Sequence, residues 1–116
     1  MTYCALQINF ELNVKPEDYL KAGERVVNAV ADVAQLLWKV WILSDDGKRA
    51  GGWYLFRDRA AAEAYANGPI IGRLRESGMT RNIEVRVFSA VESLTRRTGG
   101  ARVLPPAASE LADHSA

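Results

Sequence analysis

Four pairs of residues in this chain stand two positions apart and combine types that could serve a bound aromatic molecule. They are Gln7 and Asn9, Lys39 and Trp41, Tyr54 and Phe56, and Arg86 and Phe88. Side chains two apart on a strand share a face, so each pair presents both members to one side. Trp41, Tyr54 and Phe56 offer apolar walls, and Gln7 and Asn9 offer amides that can orient ring oxygens. Lys39 and Arg86 offer cations for a developing oxyanion. Each has a structural alternative. Trp41 can simply pack, Tyr54 can be a structural hydrogen-bonder, and the two cations can pair with Glu11 or Glu84 across strands. Strand centres disfavour asparagine, so Gln7 and Asn9 most invite a functional explanation.

What is missing narrows the chemistry further. The single histidine is His114, close to the C-terminus, and the single cysteine is Cys4. A core without imidazole holds no Ser-His or Cys-His pair and no histidine metal ligand. Zinc and non-haem iron lack their usual donors. No GxGxxG follows a strand, and the Gly68–Gly72 run continues into Arg73 instead of the Lys-Ser/Thr of a phosphate-binding loop. No metal and no cofactor are expected.

The elements that must position these residues read clearly in places. Cys4, Leu6, Ile8, Phe10 and Leu12 alternate with polar residues, as in a half-buried strand. Pro16 opens a helix, with Glu17 and Asp18 suited to its positive end, running to about Ala34. Residues 35–43 and 49–57 are strand-like and flank Asp46-Gly47, a hairpin signal. Gly51-Gly52 within the second of these suggests a bulge or a close backbone approach. Asp58 caps an alanine-rich helix that Asn67-Gly68-Pro69 stops, a short helix follows to Glu76, and residues 81–91 alternate again. The order β-α-β-β-α-β predicts an α+β, ferredoxin-like antiparallel sheet with helices on one face. Domain 1–94 is followed by 95–116, whose Gly99-Gly100 and Pro105-Pro106 predict a mobile tail that folding does not need.

With 116 residues, 48% of them hydrophobic, the chain has room for one self-sufficient core. A net charge of +1 leaves no electrostatic footprint for nucleic acid or an anionic membrane. No basic, apolar leader and no long apolar run is evident, and with one cysteine a reducing, cytoplasmic location is the expectation.

If the residues flanking Leu6 and Ile8 point away from the helices, alternation puts Gln7 and Asn9 on the open face of the sheet. Carrying the pattern along the other strands adds Leu37, Lys39, Trp41 and Leu43, then Tyr54 and Phe56, then Glu84, Arg86 and Phe88. Leu36, Trp38, Val40 and Ile42 go to the helices. So apolar an open face needs a cover, and a second copy of the chain is the expected one, giving a homodimer.

Leu37-Trp38-Lys39-Val40-Trp41, Ala50-Gly51-Gly52-Trp53-Tyr54-Leu55-Phe56 and Val85-Arg86-Val87-Phe88 resemble the YdhR-like monooxygenase family of the dimeric α+β barrel superfamily. The resemblance spans residues 4 to about 91 and does not extend past Leu94. It implies two ferredoxin-like sheets facing each other, and functional groups at Gln7, Asn9, Lys39, Trp41, Tyr54 and Arg86. Superfamily relatives also place pockets between sheet and helices, which would favour Trp38 over Trp41, so both faces stay open. Some relatives carry histidine where this chain has Asn9, and asparagine cannot exchange a proton at neutral pH. The activity implied is a cofactor-independent monooxygenase reaction on a small aromatic or polycyclic phenol, with molecular oxygen as co-substrate. Without metal or flavin, an electron-rich phenolate must itself reduce oxygen. The alternatives are an enolate-type cyclase or isomerase, and a non-catalytic ligand-binding dimer.

Overall fold

The structure is a computed structural model and describes residues 3–106. Strand β1 (Cys4–Leu12) leads to helix α1 (Pro16–Ala31), then strands β2 (Leu36–Leu43) and β3 (Arg49–Phe56). Helices α2 (Arg59–Ala66) and α3 (Pro69–Glu76), strand β4 (Thr80–Ser89), helix α4 (Glu92–Arg97) and a 3-10 turn (Gly100–Arg102) complete it. The strands lie in the order β2-β3-β1-β4, and every pairing is antiparallel. This is the expected ferredoxin-like α+β sheet, with β1 and β3 central.

Local chemistry accounts for the turns and helix starts. Gly47 takes a φ of +72°, where a Cβ would be strained. Beside it the Asp46 carboxylate accepts from the Ser44 hydroxyl at 2.7 Å and the Lys48 amide at 3.0 Å, closing the β2–β3 turn. Pro16 occupies the first turn of α1, and the Asp58 carboxylate accepts from the Ala61 amide at 2.8 Å at the start of α2. Every second residue of β1 from Cys4 to Leu12 is buried. They pack with Phe56, Ala62, Tyr65 and Ile71 into the main core. Burial of the Cys4 thiol raises its pKa and marks it as a core residue.

The faces of β2 and β3 differ from the sequence expectation. In β3, Tyr54 stands opposite Leu6 and Phe56 opposite Cys4, so both face the helices, not the open side. Trp53-Tyr54-Leu55-Phe56 is apolar in both phases, and alternation alone has no preference there. In β2, Leu36 faces inward opposite Phe56 as expected, but the register slips before Trp38, which stands opposite Leu55. A one-residue bulge turns every later side chain over. Lys39, Trp41 and Leu43 therefore face the helices, and Trp38, Val40 and Ile42 the open side.

The expected mobile tail from residue 95 also needs correction over its first part. Helix α4 and the 3-10 turn carry the chain back so that Leu104, 4% exposed, is buried against Tyr3 and Leu55 on the open side of the sheet. The Leu104 amide donates to the Gly100 carbonyl at 2.8 Å, and Arg96 donates to the Pro105 carbonyl at 2.6 Å. Gly99 turns the chain with a φ of +100° rather than releasing it. His114 lies outside the described residues.

Candidate active site

The switch of faces gathers three of the eight paired residues, Lys39, Trp41 and Tyr54, around one cavity. It lies between the helix-facing side of the sheet and helices α1 and α3, with a volume of about 220 Å³. The sheet contributes Phe10, Lys39, Trp41 and Tyr54 to its wall. Tyr19, Gly23 and Val26 come from α1, Tyr65 from α2, and Ile71 and Arg73 from α3. The surroundings are mostly hydrocarbon and aromatic ring.

Lys39 is the one amine in that wall. Its Nζ lies 3.3 Å from the Trp41 ring centroid and 4.6 Å from that of Tyr54, the residue opposite it on β3. No carboxylate lines the cavity, and Lys39 takes part in none of the four ion pairs among the described residues. Burial, its only perturbation, lowers the Lys39 pKa to about 7. Gly52 makes this pose possible. A Cβ there would fall 2.9 Å from Cε of Lys39 and 3.0 Å from the Tyr54 ring. Gly51 answers a different need, since a Cβ there would run into the Ile8 carbonyl oxygen of β1. Both glycines thus fulfil the close approach that their position in a strand suggested.

Two tyrosine hydroxyls complete the polar inventory beside the lysine. Tyr65 donates to Tyr54 at 3.3 Å, and their rings lie 5.0 Å apart. Burial raises the pKa of both, so both stay protonated. One hydrogen bond between two hydroxyls uses one proton and leaves the other for a ligand. Burial pushes Tyr19, packed edge-on to Phe10 at 5.7 Å, up to about 12. The wall can therefore offer a cation or free amine, a hydroxyl donor and several ring faces.

The remaining candidates are elsewhere. Phe56 is fully buried behind the cavity, stacked on Tyr54 at 6.2 Å, where it supports the wall without reaching the space. Gln7 stands on the open face between Trp53 and Arg86, Asn9 between Gly51 and Glu84, and Phe88 beside Ala5. Trp38 is on that face too, so the cavity between sheet and helices is lined by Trp41 and not by Trp38. Arg86 is solvent-exposed and pairs with Glu84 of its own strand at 3.8 Å. The expectation that Lys39 and Arg86 share the open face with Gln7 and Asn9 does not survive, because the sheet separates the two cations. Tyr19, Tyr65 and Arg73 went unread in the sequence. The signal available was a tyrosine in each of two amphipathic helices, a residue whose hydroxyl asks for a partner when buried.

Among the described residues no group of three His, Cys, Asp or Glu side chains converges as metal ligands do, and no helix is long and apolar enough to cross a membrane.

Comparison with known proteins agrees with this architecture. A cofactor-independent oxygenase from Streptomyces nogalater, SnoaB, superposes with a TM-score of 0.64 at 12% identity, over 78% of this chain and 94% of that one. The ActVA-Orf6 monooxygenase of Streptomyces coelicolor, solved with nanaomycin D, gives 0.58 at 14% identity, over 77% and 87%. A Nitrosomonas europaea protein of unknown function, NE2512, gives 0.58 at 20% identity, over 78% and 91%. These likenesses establish the fold. No curated protein matches the chain. The match to a family model runs past Leu94, the expected limit of the resemblance, through α4 and into the 3-10 turn. Over residues 5–101 the chain matches the family described as "Putative mono-oxygenase ydhR", and it belongs to that family.

Proposed function

We propose that the protein is a cofactor-independent monooxygenase whose substrate, a small phenolic aromatic, occupies the cavity between the sheet and helices α1 and α3. The observation that carries this reading is the wall itself, in which Trp41, Tyr54 and Tyr19 surround a single amine. An apolar cavity of ~150 Å³ takes benzene. The 220 Å³ here suits one substituted ring or two small fused ones. Family membership and the likeness to oxygenases of this fold support the reaction class.

In this reading the substrate supplies the electrons. An ionised phenol is electron-rich at the ring carbon para to its oxygen, and dioxygen adds there to give a hydroperoxide. Loss of water, with the ring hydrogen leaving as a proton, yields a quinone. One oxygen atom ends in the product and one in water, and the phenol is the sole reductant. The chain's contribution is to exclude water, to hold the ring against Trp41 and Tyr54, and to set a cation and a hydroxyl donor toward the oxygen.

The working form in this reading is a homodimer. Trp38, Val40, Trp53 and Phe88 are 38–44% exposed on the open side of the sheet, which a second copy would cover. Oxygen uptake by the purified protein with a panel of phenols, naphthols and hydroquinones tests the reaction. Uptake that depends on protein and phenol supports it. Saturable phenol binding with no uptake would leave a binding protein instead.

A further inference from the structure

We infer that the cavity takes its aromatic hydroxyl ligand as the phenolate, paired with the Lys39 ammonium, and that Gly52 is the positioning residue that holds Lys39 for this role. The inference rests on the proposed reading and adds the residue that pairs with the ionised ligand, the residue that positions it, and the acidity of the ligand. Acidic phenols are the class it selects.

Three structural facts lead here. The amine projects into a cavity without a carboxylate, so the cationic form has rings but no anion for company. A buried charge without a partner is costly, and a ligand that brings the partner is favoured over one that does not. Among the described residues, the only other charged or titratable groups in the wall are Tyr19 on α1, Tyr54 on β3, Tyr65 on α2 and Arg73 on α3. The tyrosines are held neutral by burial. None of these groups can supply the missing anion. The ligand must.

The proton balance follows from the state of Lys39, whose pKa near 7 makes both forms accessible. When the amine is neutral, the phenol O–H breaks and its proton forms the third N–H bond of the ammonium. When Lys39 is already an ammonium, the phenol proton leaves to solvent. Both routes end in the same pair, phenolate and ammonium, with a tyrosine hydroxyl free to donate to the phenolate oxygen. Gly52 enters because a Cβ at that position would occupy space within 2.9 Å of Lys39 Cε. The flexible end of a lysine yields more easily than backbone, so Gly52→Ala displaces the amine, and presses on the Tyr54 ring at 3.0 Å, while leaving the strand in place.

The test is a spectroscopic titration with para-nitrophenol, which is colourless when protonated and yellow as the phenolate. The buffer is held about one pH unit below the probe's own pKa, where the free probe is mostly protonated. The wild-type protein should bind the probe in its yellow form. Lys39→Met should bind it colourless, or bind the phenolate about 10- to 100-fold more weakly, as expected for loss of a charge-assisted hydrogen bond. Gly52→Ala, which retains the lysine, should shift in the same direction. Colourless binding by the wild-type protein would overturn the inference, whereas the monooxygenase reading is judged separately, by oxygen uptake with phenols. Absence of saturable binding would overturn both the inference and the cavity as the substrate site. Because the wild-type colour decides the matter by itself, a variant that failed to fold would not rescue the idea.

Discussion

The Lys39 ammonium lies 3.3 Å from the centroid of the Trp41 ring, two residues along the same strand and on the same face. A desolvated cation–π contact is worth about 2 kcal/mol, which goes some way to offsetting the cost of burying the charge. It does not go all the way. Burial lowers the pKa of Lys39 from 10.5 to about 7, so the charged form still carries a desolvation cost.

A pH dependence of stability follows from that displacement. Between about 7 and 10.5 the unfolded chain binds the lysine proton and the folded one does not. Stability contributed through Lys39 therefore rises with pH across this window, by at most about 1.4 kcal/mol per pH unit, and the penalty is fully present below it. Lys39→Met should be more stable than the wild type at mildly acid pH, and its advantage should shrink as pH climbs from 7 toward 10. Urea denaturation across this range checks the sign. An advantage independent of pH would mean that the amine is not desolvated.

The Tyr54–Tyr65 hydroxyl pair gives a second expectation. Tyr54→Phe removes one member of a buried 3.3 Å hydrogen bond and should cost about 0.5–1.5 kcal/mol of stability. It should also slow turnover of a good phenol, because the spare hydroxyl proton is lost with it. Activity unchanged at saturating substrate would restrict the pair to a structural role.

How much of this was legible beforehand varies by element. In β1, strict alternation of apolar and polar residues fixed both strand and face, and Leu6 and Ile8 are indeed fully buried. The Asp58 cap, the Asp46-Gly47 turn and the break between α2 and α3 carry their chemistry in the residues themselves. The faces of β2 and β3 did not. Trp53 to Phe56 has no polar residue to mark a phase, and the slip before Trp38 is a property of strand pairing, which a single strand's sequence does not encode. Lys39, Trp41 and Tyr54 thus come together on the side of the sheet opposite to the one alternation predicts, while Gln7, Asn9, Arg86 and Phe88 lie on the open face as alternation predicts.

That surface yields the third expectation. Trp53 is 38% exposed opposite Gln7, at the middle of the open face. In the homodimer reading, Trp53→Asp sets a charge into the covered interface and should give a monomer by sedimentation at micromolar concentration. Trp41→Asp, on the cavity side, should perturb ligand binding or folding without selectively breaking association. A native chain that is itself monomeric would remove the dimer.

Leu104 supplies a fourth, and reverses what composition alone suggested for this part of the chain. It is buried against Tyr3 and Leu55, so Leu104→Ala should cost about 2–4 kcal/mol. Truncation after Thr98 should lower the melting temperature by at least as much as the point change does. A truncated protein with an unchanged melting temperature would show that the segment lends the fold nothing.

The most direct test of the account is the fate of isotopically labelled dioxygen. Metal-free and flavin-free protein is incubated with an acidic naphthol small enough for the 220 Å³ cavity, and the product is weighed by mass spectrometry. The account predicts one labelled oxygen atom in a quinone product, with formation slowed about 10²–10³-fold in Lys39→Met, the loss typical of removing a preorganised stabiliser of charge. Unlabelled product, its new oxygen drawn from solvent water, or turnover that Lys39→Met leaves intact while the protein stays folded, would contradict it.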